Sequence, residues 1–395
     1  MVIDILKTIG IAFGSFFSNP LLYIGLIIIL LVANNRISKE RQSFHTRVYS
    51  RMADFVLPFW PSILAGTLIS LVTIALGIIV NIPFLVLIAG LYVLLALTTK
   101  IRWITPVNVL ALTIIILAVE PLVSGPSSLM DMYEVVSDVS IVSVFALLSL
   151  LLFVEGFLIL RNGGKYTSPR LEKSKRGKWI GIHKQKRLWI VPVVLFIPNG
   201  LIPTFEFWPV LTVGEMTLQP VIVPFLFGLQ YVIKSALPEF AIKLIGRRVL
   251  LLATGSILFV VIGYFFPVVA VIAAVAMMVT REWLIASLQS KEEQHSKYFT
   301  ELKEGCIILG VLPGSPAEKM NLQVGETISK VNGRTIQNQD QFYKALQANS
   351  AFCKLEVLDY AGEVRFAQGA LYVGEHHQLG VLLVKTEQTL QDSVI

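Results

Sequence analysis

Charged residues are scarce in this sequence of 395 residues. They make up 15% of the chain, whereas hydrophobic residues make up 55%. Soluble domains carry about 25% charged residues, so this composition excludes a chain that is soluble throughout. Uncharged blocks of roughly 16 to 22 residues recur up to about residue 283, and such blocks are long enough to cross a ~30 Å hydrocarbon core. From Lys291 onward the composition is typical of a soluble domain.

Cysteine is nearly absent as well. The sequence has two, Cys306 and Cys353, and both lie in the soluble C-terminal part. This excludes a scaffold held together by several disulfides. The topology derived below places both thiols in a reducing compartment, so we expect buried, unpaired side chains.

The hydrophobic blocks predict a polytopic α-helical membrane domain of eight or nine spans in residues 1–283. Residues 9–17, before Ser18-Asn19-Pro20, form either a short interfacial helix or the upper part of the first span. The last two blocks are short and could form one hairpin. The predicted spans are 20–34, 59–79, 82–99, 104–120, 139–160, 188–205, 216–233, 249–263 and 266–280.

Lysine and arginine are missing from every second loop between these spans. The loops near Asn81, at 121–138, at 206–215 and near Gly263 have none, whereas the other set of loops holds 22. The positive-inside rule places the basic set in the cytoplasm. The same alternation places the C-terminal domain in the cytoplasm.

The longest basic loop, residues 161–187, carries ten lysines and arginines and one acid, Glu172. It is either a topology determinant only or a site for anionic lipid headgroups, to which each basic residue contributes about 1 kcal/mol. Nucleic acid is not expected as a ligand, because only Trp179 offers a stacking surface. The candidate headgroup contacts are Arg170, Lys173, Lys175, Arg176 and Lys178.

The soluble part alternates strand and helix patterns. An apolar run at 306–311 predicts a buried strand, and the turn at 313–316 precedes a short helix with Ser315 as its cap. A strand at 327–331 ends at Asn332-Gly333, a turn signal. A helix at 339–348 and a final hairpin complete a small α+β fold, a partly open β-barrel with two helices.

This order of elements, with PGSPA at 313–317, Gly325-Glu326 and Val331-Asn332-Gly333, resembles the PDZ domains of bacterial membrane proteases and related proteins. The resemblance covers about 80 residues. It divides the chain into the membrane domain 1–283, a linker 284–303, a PDZ domain 304–386 and a tail 387–395. In this family a peptide adds as a strand to a sheet edge, and a helix forms the other wall of the groove.

The resemblance implies a peptide site at the end of the domain, so that the domain is a circularly permuted version. The alternative is that Leu379 and Val381 belong to the core and Gly380 only relieves a turn. The adjacent His376 and His377 are expected to be solvated. The candidate loop and strand residues are Gln378, Leu379, Gly380, Val381 and Leu382, and the candidate helix residues are Phe342, Ala345 and Leu346.

Histidine is too rare, and wrongly placed, for intramembrane proteolysis. None of the five histidines lies in a predicted span, and none has the HExxH spacing of a zinc protease. A serine protease would need a histidine base in the membrane. We therefore expect no enzyme, no metal and no cofactor. Glu155, inside a predicted span, is either a transport site or paired with another helix.

Over its full length the chain resembles the MinJ-type polytopic PDZ proteins of the Bacillus-type Min cell-division system. The matching features are the Asn19-Pro20 entry to the first span, the many spans, the basic central loop and the PGSPA segment. The resemblance implies a membrane adaptor at the septum and poles. Its expected partners are a DivIVA-like scaffold and a MinD-like ATPase, and homo-oligomers are possible.

Two other functions stay open at this stage. One is a transporter or channel with a regulatory PDZ domain, for which Glu155 would be essential. The other is a non-catalytic partner that presents substrates to a membrane protease.

Overall fold

The computed structural model describes residues 2–119, 139–204, 208–210, 217–349, 352–370 and 379–384. The acidic loop at 121–138, His376, His377 and Gln378, and the predicted tail 387–395 lie outside the described residues.

Long apolar helices form most of the N-terminal part, as predicted. Five described helical segments are long and apolar enough to cross a membrane. They are α2 (Pro20–Phe44), α3 (Ala53–Leu76), α6 (Ile141–Leu158, extended by a π-helical turn at Ile159–Gly163), α7 (Pro238–Phe265) and α8 (Pro267–Gln294). Two shorter apolar helices, α4 (Ile82–Leu97) and α5 (Pro106–Val119), occupy two further predicted spans.

The first residues form a helix of their own, α1 (Val2–Ser18), rather than the upper part of the first span. The break follows from local chemistry at Asn19. The Asn19 side chain accepts a hydrogen bond from the Leu21 N–H at 3.0 Å and so caps α2. Pro20 at the first helical position lacks an N–H, so a helix continuing from α1 would lose a bond there.

Two of the predicted helical spans, 188–205 and 216–233, are wrong. Nearly all of their described residues lie in a long antiparallel hairpin of β2 (Trp179–Pro203) and β3 (Thr217–Ile233), flanked by β1 (Ser168–Lys173). The two strands are rich in β-branched and aromatic residues, which favours a pleated strand. They also carry repeated prolines, of which Pro192 and Pro224 face each other in the register. Each proline would cost a helix about 3 kcal/mol or more.

The hairpin lies among the helices, and helix side chains bind its edge groups. At the middle of α3, the Ser70 hydroxyl accepts from the Val194 N–H at 3.0 Å and the Thr73 hydroxyl donates to the Val194 carbonyl at 2.6 Å. Tyr92 on α4 binds the Leu226 carbonyl and N–H through its hydroxyl, at 3.2 and 3.3 Å. Backbone groups at membrane depth must be satisfied within the protein, and these contacts do so.

The C-terminal domain begins at β4 (Cys306–Val311), followed by the short helix α9 (Pro316–Lys319). It continues with β5 (Thr327–Val331), β6 (Arg334–Thr335) and α10 (Gln339–Gln347). Strands β7 (Phe352–Leu358), β8 (Val364–Ala370) and β9 (Val381–Leu383) complete it. The order of elements along the chain agrees with the prediction. In the sheet the strand order is β8-β7-β5-β4-β9, with β6 paired to β5.

This domain packs directly against the membrane domain. Helix α8 runs through the first half of the predicted linker to Gln294. Phe299, fully buried, then packs with Ile307 and Leu309 of β4, against Phe44 and Leu171 of the membrane domain. The Gly181 N–H of β2 donates to the Phe299 carbonyl at 2.8 Å. A Cβ on Gly181 would lie 2.5 Å from the Leu309 side chain, so glycine permits this close approach.

Candidate peptide-binding site

The candidate loop sits at the edge of the sheet, because β9 is the last strand in the order and pairs with β4 on one side. The Gly380 carbonyl accepts from the Leu312 N–H at 2.8 Å. In an antiparallel ladder the bonding direction alternates along a strand, so the Val381 N–H and carbonyl point to the opposite edge. Among the described residues no strand pairs with that edge.

The PGSPA segment holds the loop in place. The Ala317 N–H donates to the Leu379 carbonyl at 3.0 Å, which fixes the residue before Gly380. Ser315 caps α9 and lies against Gly380. The PGSPA signature alone does not predict that two backbone N–H groups, of Ala317 at its end and of Leu312 just before it, position the loop.

Gly380 is required by both its conformation and its surroundings. Its φ is +87°, in the left-handed region that favours glycine. A Cβ would lie 2.2 Å from the Ser315 Cβ, which is closer than real side chains approach. The loop therefore cannot carry a larger residue at this position without moving away from Ser315.

The candidate helix residues are part of the domain core. Phe342, Ala345 and Leu346 are buried in the same cluster as Leu379, Val381 and Leu383. Helix α10 thus packs over the sheet face to which Val381 and Leu383 point. Next to Phe342, the half-buried Tyr343 packs against this cluster and was not predicted to belong to the site.

The Leu382 side chain points to the other sheet face. It packs at Gly310, whose Cβ would lie 3.1 Å from Leu382 and 3.2 Å from Pro169 of the membrane domain. By the same alternation the Leu382 backbone groups point to β4, so Leu382 holds β9 in place, while Val381 and Leu383 present backbone groups to an added strand. Gln378, the first residue of the predicted loop, lies outside the described residues.

The cysteines in the part of the chain that the structure describes are poorly suited to nucleophilic catalysis. No cluster of three His, Cys, Asp or Glu side chains that could hold a metal occurs there. Cys306 and Cys353 are free and buried, as predicted, and burial raises the pKa of each thiol to about 12. A thiol with so high a pKa is a poor nucleophile.

Glu155 is paired between helices, which was one of the two alternatives for it. Its carboxylate accepts from Nε of Arg281 on α8 at 2.9 Å and from the hydroxyl of Thr105 at 2.8 Å. Arg281 is fully buried and also donates to the Arg102 carbonyl at 3.2 Å. The three contacts tie α6 to α8 and to the segment before α5.

The candidate headgroup residues fall into two groups. Arg170 on β1 is half-buried, and burial lowers its pKa. The other four are exposed at the β1–β2 turn, where the Gly177 N–H donates to the Ser174 carbonyl at 2.9 Å. They are Lys173, Lys175, Arg176 and Lys178. No observation tests lipid binding by either group, and it stays a prediction.

Fold and site together define a class: a membrane protein of many helices that holds a PDZ domain against its own membrane part. Residues 307–358 match the PDZ domain family. This match covers β4 to β7 and includes the PGSPA segment.

The whole chain is similar to proteins of one kind. It is 31% identical over 388 residues to the cell division topological determinant MinJ of Bacillus subtilis (strain 168), covering 98% of this chain and 96% of that protein. It is 22% identical over 363 residues to a protein of Lacticaseibacillus paracasei named probable cell division topological determinant MinJ, covering 90% of this chain and 92% of the relative. The chain belongs to the MinJ family.

Proposed function

We propose that the protein is a non-enzymatic membrane adaptor in division-site selection. The helices hold the PDZ domain at the cytoplasmic face, and the domain recruits partners by adding an extended segment to the edge of β9. Confinement to the membrane raises the effective concentration for partners on the same surface.

The observation that carries the proposal is the edge of β9 beside a glycine loop, with which no strand pairs among the residues that the structure describes. Peptide addition at a sheet edge uses backbone hydrogen bonds for affinity and pockets between the strand and a helix for specificity. The position of the loop at the end of the domain supports a circularly permuted PDZ fold. Family membership supports the biological setting, since the relatives are named as division determinants.

The partners proposed are a DivIVA-like scaffold at the septum and poles and a MinD-like ATPase. Bridging the two would place the division inhibitor beside a finished septum and so restrict assembly of the division ring. Protein–protein contact is the chemistry that a PDZ domain offers. The partners themselves rest on the family resemblance.

The transporter alternative has lost its main support. It relied on Glu155 as a free ionisable group at membrane depth, and this carboxylate is bound by Arg281 and Thr105. The second alternative, a partner that presents substrates to a membrane protease, shares the PDZ groove and differs in its partners.

Crosslinking in living cells separates the remaining alternatives. With the intact chain and with a chain that lacks residues 291–395, the proposal predicts a coiled-coil scaffold and an ATPase as crosslinked partners, both lost on deletion. A protease and its substrates as the partners would instead support the alternative.

A further inference from the structure

A large cleft in the described part of the chain lies between the β1–β2 turn and the PDZ domain. Its volume is about 1090 Å³, at the upper end of small-molecule pockets, which span about 300–1,000 Å³. Three parts of the chain form its walls: the turn at 173–179, the end of α8 with residues 295–303, and Gln337-Asn338 before α10. We name it the basic cleft.

The basic cleft is strongly cationic. Seven lysines and arginines line it, against three glutamates. Two of the three glutamates, Glu172 and Glu293, pair with the same lysine, Lys234, at 3.3 and 2.9 Å. Among the residues that the structure describes, Lys175, Arg176, Lys178 and Lys303 take part in no ion pair. The cleft therefore carries positive charge that its own acids do not neutralise.

The walls add polar groups suited to an anionic chain. Asn338 caps α10 by accepting from the Gln341 N–H at 2.9 Å, so the positive end of that helix dipole opens at the cleft. Lys173 lies over the ring of Trp179, 5.4 Å from its centroid, at the opposite wall. The walls come from three separate parts of the chain, which suits an extended segment that contacts all three.

The distance from the bilayer argues against lipid headgroups as the ligand. Arg281 and Arg187 stand next to the apolar blocks of α8 and β2. From Arg281 to Gln294 the helix rises about 20 Å at 1.5 Å per residue. From Arg187 back to Trp179 the strand extends about 26 Å at 3.3 Å per residue. For elements that run along the membrane normal, these lengths place the cleft beyond the headgroup layer by more than the Debye length of about 8 Å.

We propose that the basic cleft binds an acidic, extended segment of a protein partner, as a second contact beside the PDZ groove. The inference deepens the adaptor function proposed above and rests on it for the presence of a partner. Cations at the turn and at Lys303 would pair with carboxylates of the segment. Two contacts on one partner multiply their affinities when the linker between them spans both sites.

The test uses the full chain in nanodiscs of phosphatidylcholine, which carry no net charge. The probe is a fluorescent glutamate-rich decapeptide with an amidated C-terminus, so that it offers no terminal carboxylate to the Gly380 loop. We expect binding that weakens as NaCl rises from about 50 to about 300 mM. The triple variant Lys175→Glu, Arg176→Glu, Lys178→Glu should bind at least about 10-fold more weakly.

A matched control reverses three exposed basic residues of the PDZ domain that do not line the cleft: Arg334→Glu, Lys344→Glu and Lys354→Glu. It should change binding by less than about 2-fold. Equal weakening in both triple variants would overturn the proposal. So would the absence of peptide binding, or capture of phosphatidylglycerol vesicles by the intact chain but not by the turn variant.

The experiments distinguish failure of the basic-cleft proposal from failure of the PDZ-groove proposal. Gly380→Ala should leave binding of the amidated probe unchanged, because it alters only the loop. If the basic cleft does not bind the probe, the crosslinking result expected for the PDZ groove does not change.

Discussion

At the scale of single residues, the pair Glu155–Arg281 shows how a charged group in an apolar helix can be structural. Removing one member of a buried ion pair leaves the other charge unpaired, at a cost of about 3 to 5 kcal/mol. We expect Glu155→Gln to lower the thermal unfolding temperature of the detergent-solubilised protein clearly. Glu172, which pairs with Lys234 and is partly exposed, offers the control. Glu172→Gln should lower the free energy of unfolding by less than about 1 kcal/mol.

A double variant sharpens this prediction. Replacing both Glu155 and Arg281 by Met removes both charges and should recover much of the lost stability. If Glu155→Gln unfolds like the natural chain, the structural account of Glu155 is wrong and a transport role returns.

His183 predicts how pH acts on the junction of the two domains. It lies on the part of β2 before Arg187, outside the membrane, and is buried with Phe299, the ring centroids 5.0 Å apart. Burial lowers its pKa from 6.5 to about 4, so the folded state holds a neutral ring. The neutral ring contributes to the free energy of unfolding, and this contribution is fully present above pH 6.5. It is lost as pH falls toward 4, and about 2 kcal/mol is lost at pH 5.

The measurement is hydrogen exchange of residues 306–311 at pH 7 and pH 5, corrected for the intrinsic exchange rate. We expect less protection at pH 5 in the natural chain and a smaller change in His183→Gln. His295, which is exposed, supplies the control His295→Gln. Equal pH dependence in all three proteins would rule out His183 as the cause.

At the scale of elements, the β2–β3 hairpin depends on helix side chains for its edges. Tyr92→Phe removes the hydroxyl that serves both the carbonyl and the N–H of Leu226. Unsatisfied buried groups cost about 1 to 3 kcal/mol each, so thermal stability should fall. Tyr264, exposed at the end of α7, provides the control Tyr264→Phe with little change. A stable Tyr92→Phe variant would show that the edge contact is dispensable.

The PDZ domain is held by an element between the two domains, around Phe299. Truncating a fully buried aromatic ring costs about 3 to 5 kcal/mol. Phe299→Ala should therefore release the domain, visible as faster proteolysis between residues 295 and 305. Phe366→Ala, on the exposed face of β8, should leave cleavage unchanged. Unchanged cleavage of Phe299→Ala would mean that the domain is held elsewhere.

Sequence reasoning succeeded where local signals agree and failed where tertiary contacts decide. The turn at Asn332-Gly333 and the cap at Ser315 are local, and the structure places both as predicted. The apolar runs of β2 and β3 predict helices, because an uninterrupted apolar run does not show whether its side chains follow the period of a helix or of a strand. Only their prolines and β-branched residues pointed to strands. Arg281 could not be identified as the partner of Glu155, because 126 residues separate them.

At the scale of the whole molecule, the hairpin is compatible with the sidedness that we propose. Two strands that cross and return would exchange sides as two helices would, so the separation of 22 basic residues from loops without any leads to the same expectation. The proposed sidedness would place the PDZ domain in the cytoplasm. Its packing on β2 gives the β9 edge a fixed position relative to the membrane.

The central claim is that the loop before β9 brings this membrane-anchored domain to the division site. Two glycines allow a matched comparison, since Gly380 and Gly362 both have positive φ but only Gly380 has a neighbour within 4 Å of an added Cβ. Both alanine variants therefore introduce backbone strain at a positive φ, but only Gly380→Ala also displaces the loop.

The most direct measurement is the fluorescence distribution of tagged protein in dividing cells, for the intact chain, Gly380→Ala and Gly362→Ala. The account predicts that the intact chain and Gly362→Ala concentrate at the septum and poles, whereas Gly380→Ala spreads evenly over the membrane at equal abundance. An even distribution of the intact chain, or a Gly380→Ala variant that still concentrates at the septum, would contradict it.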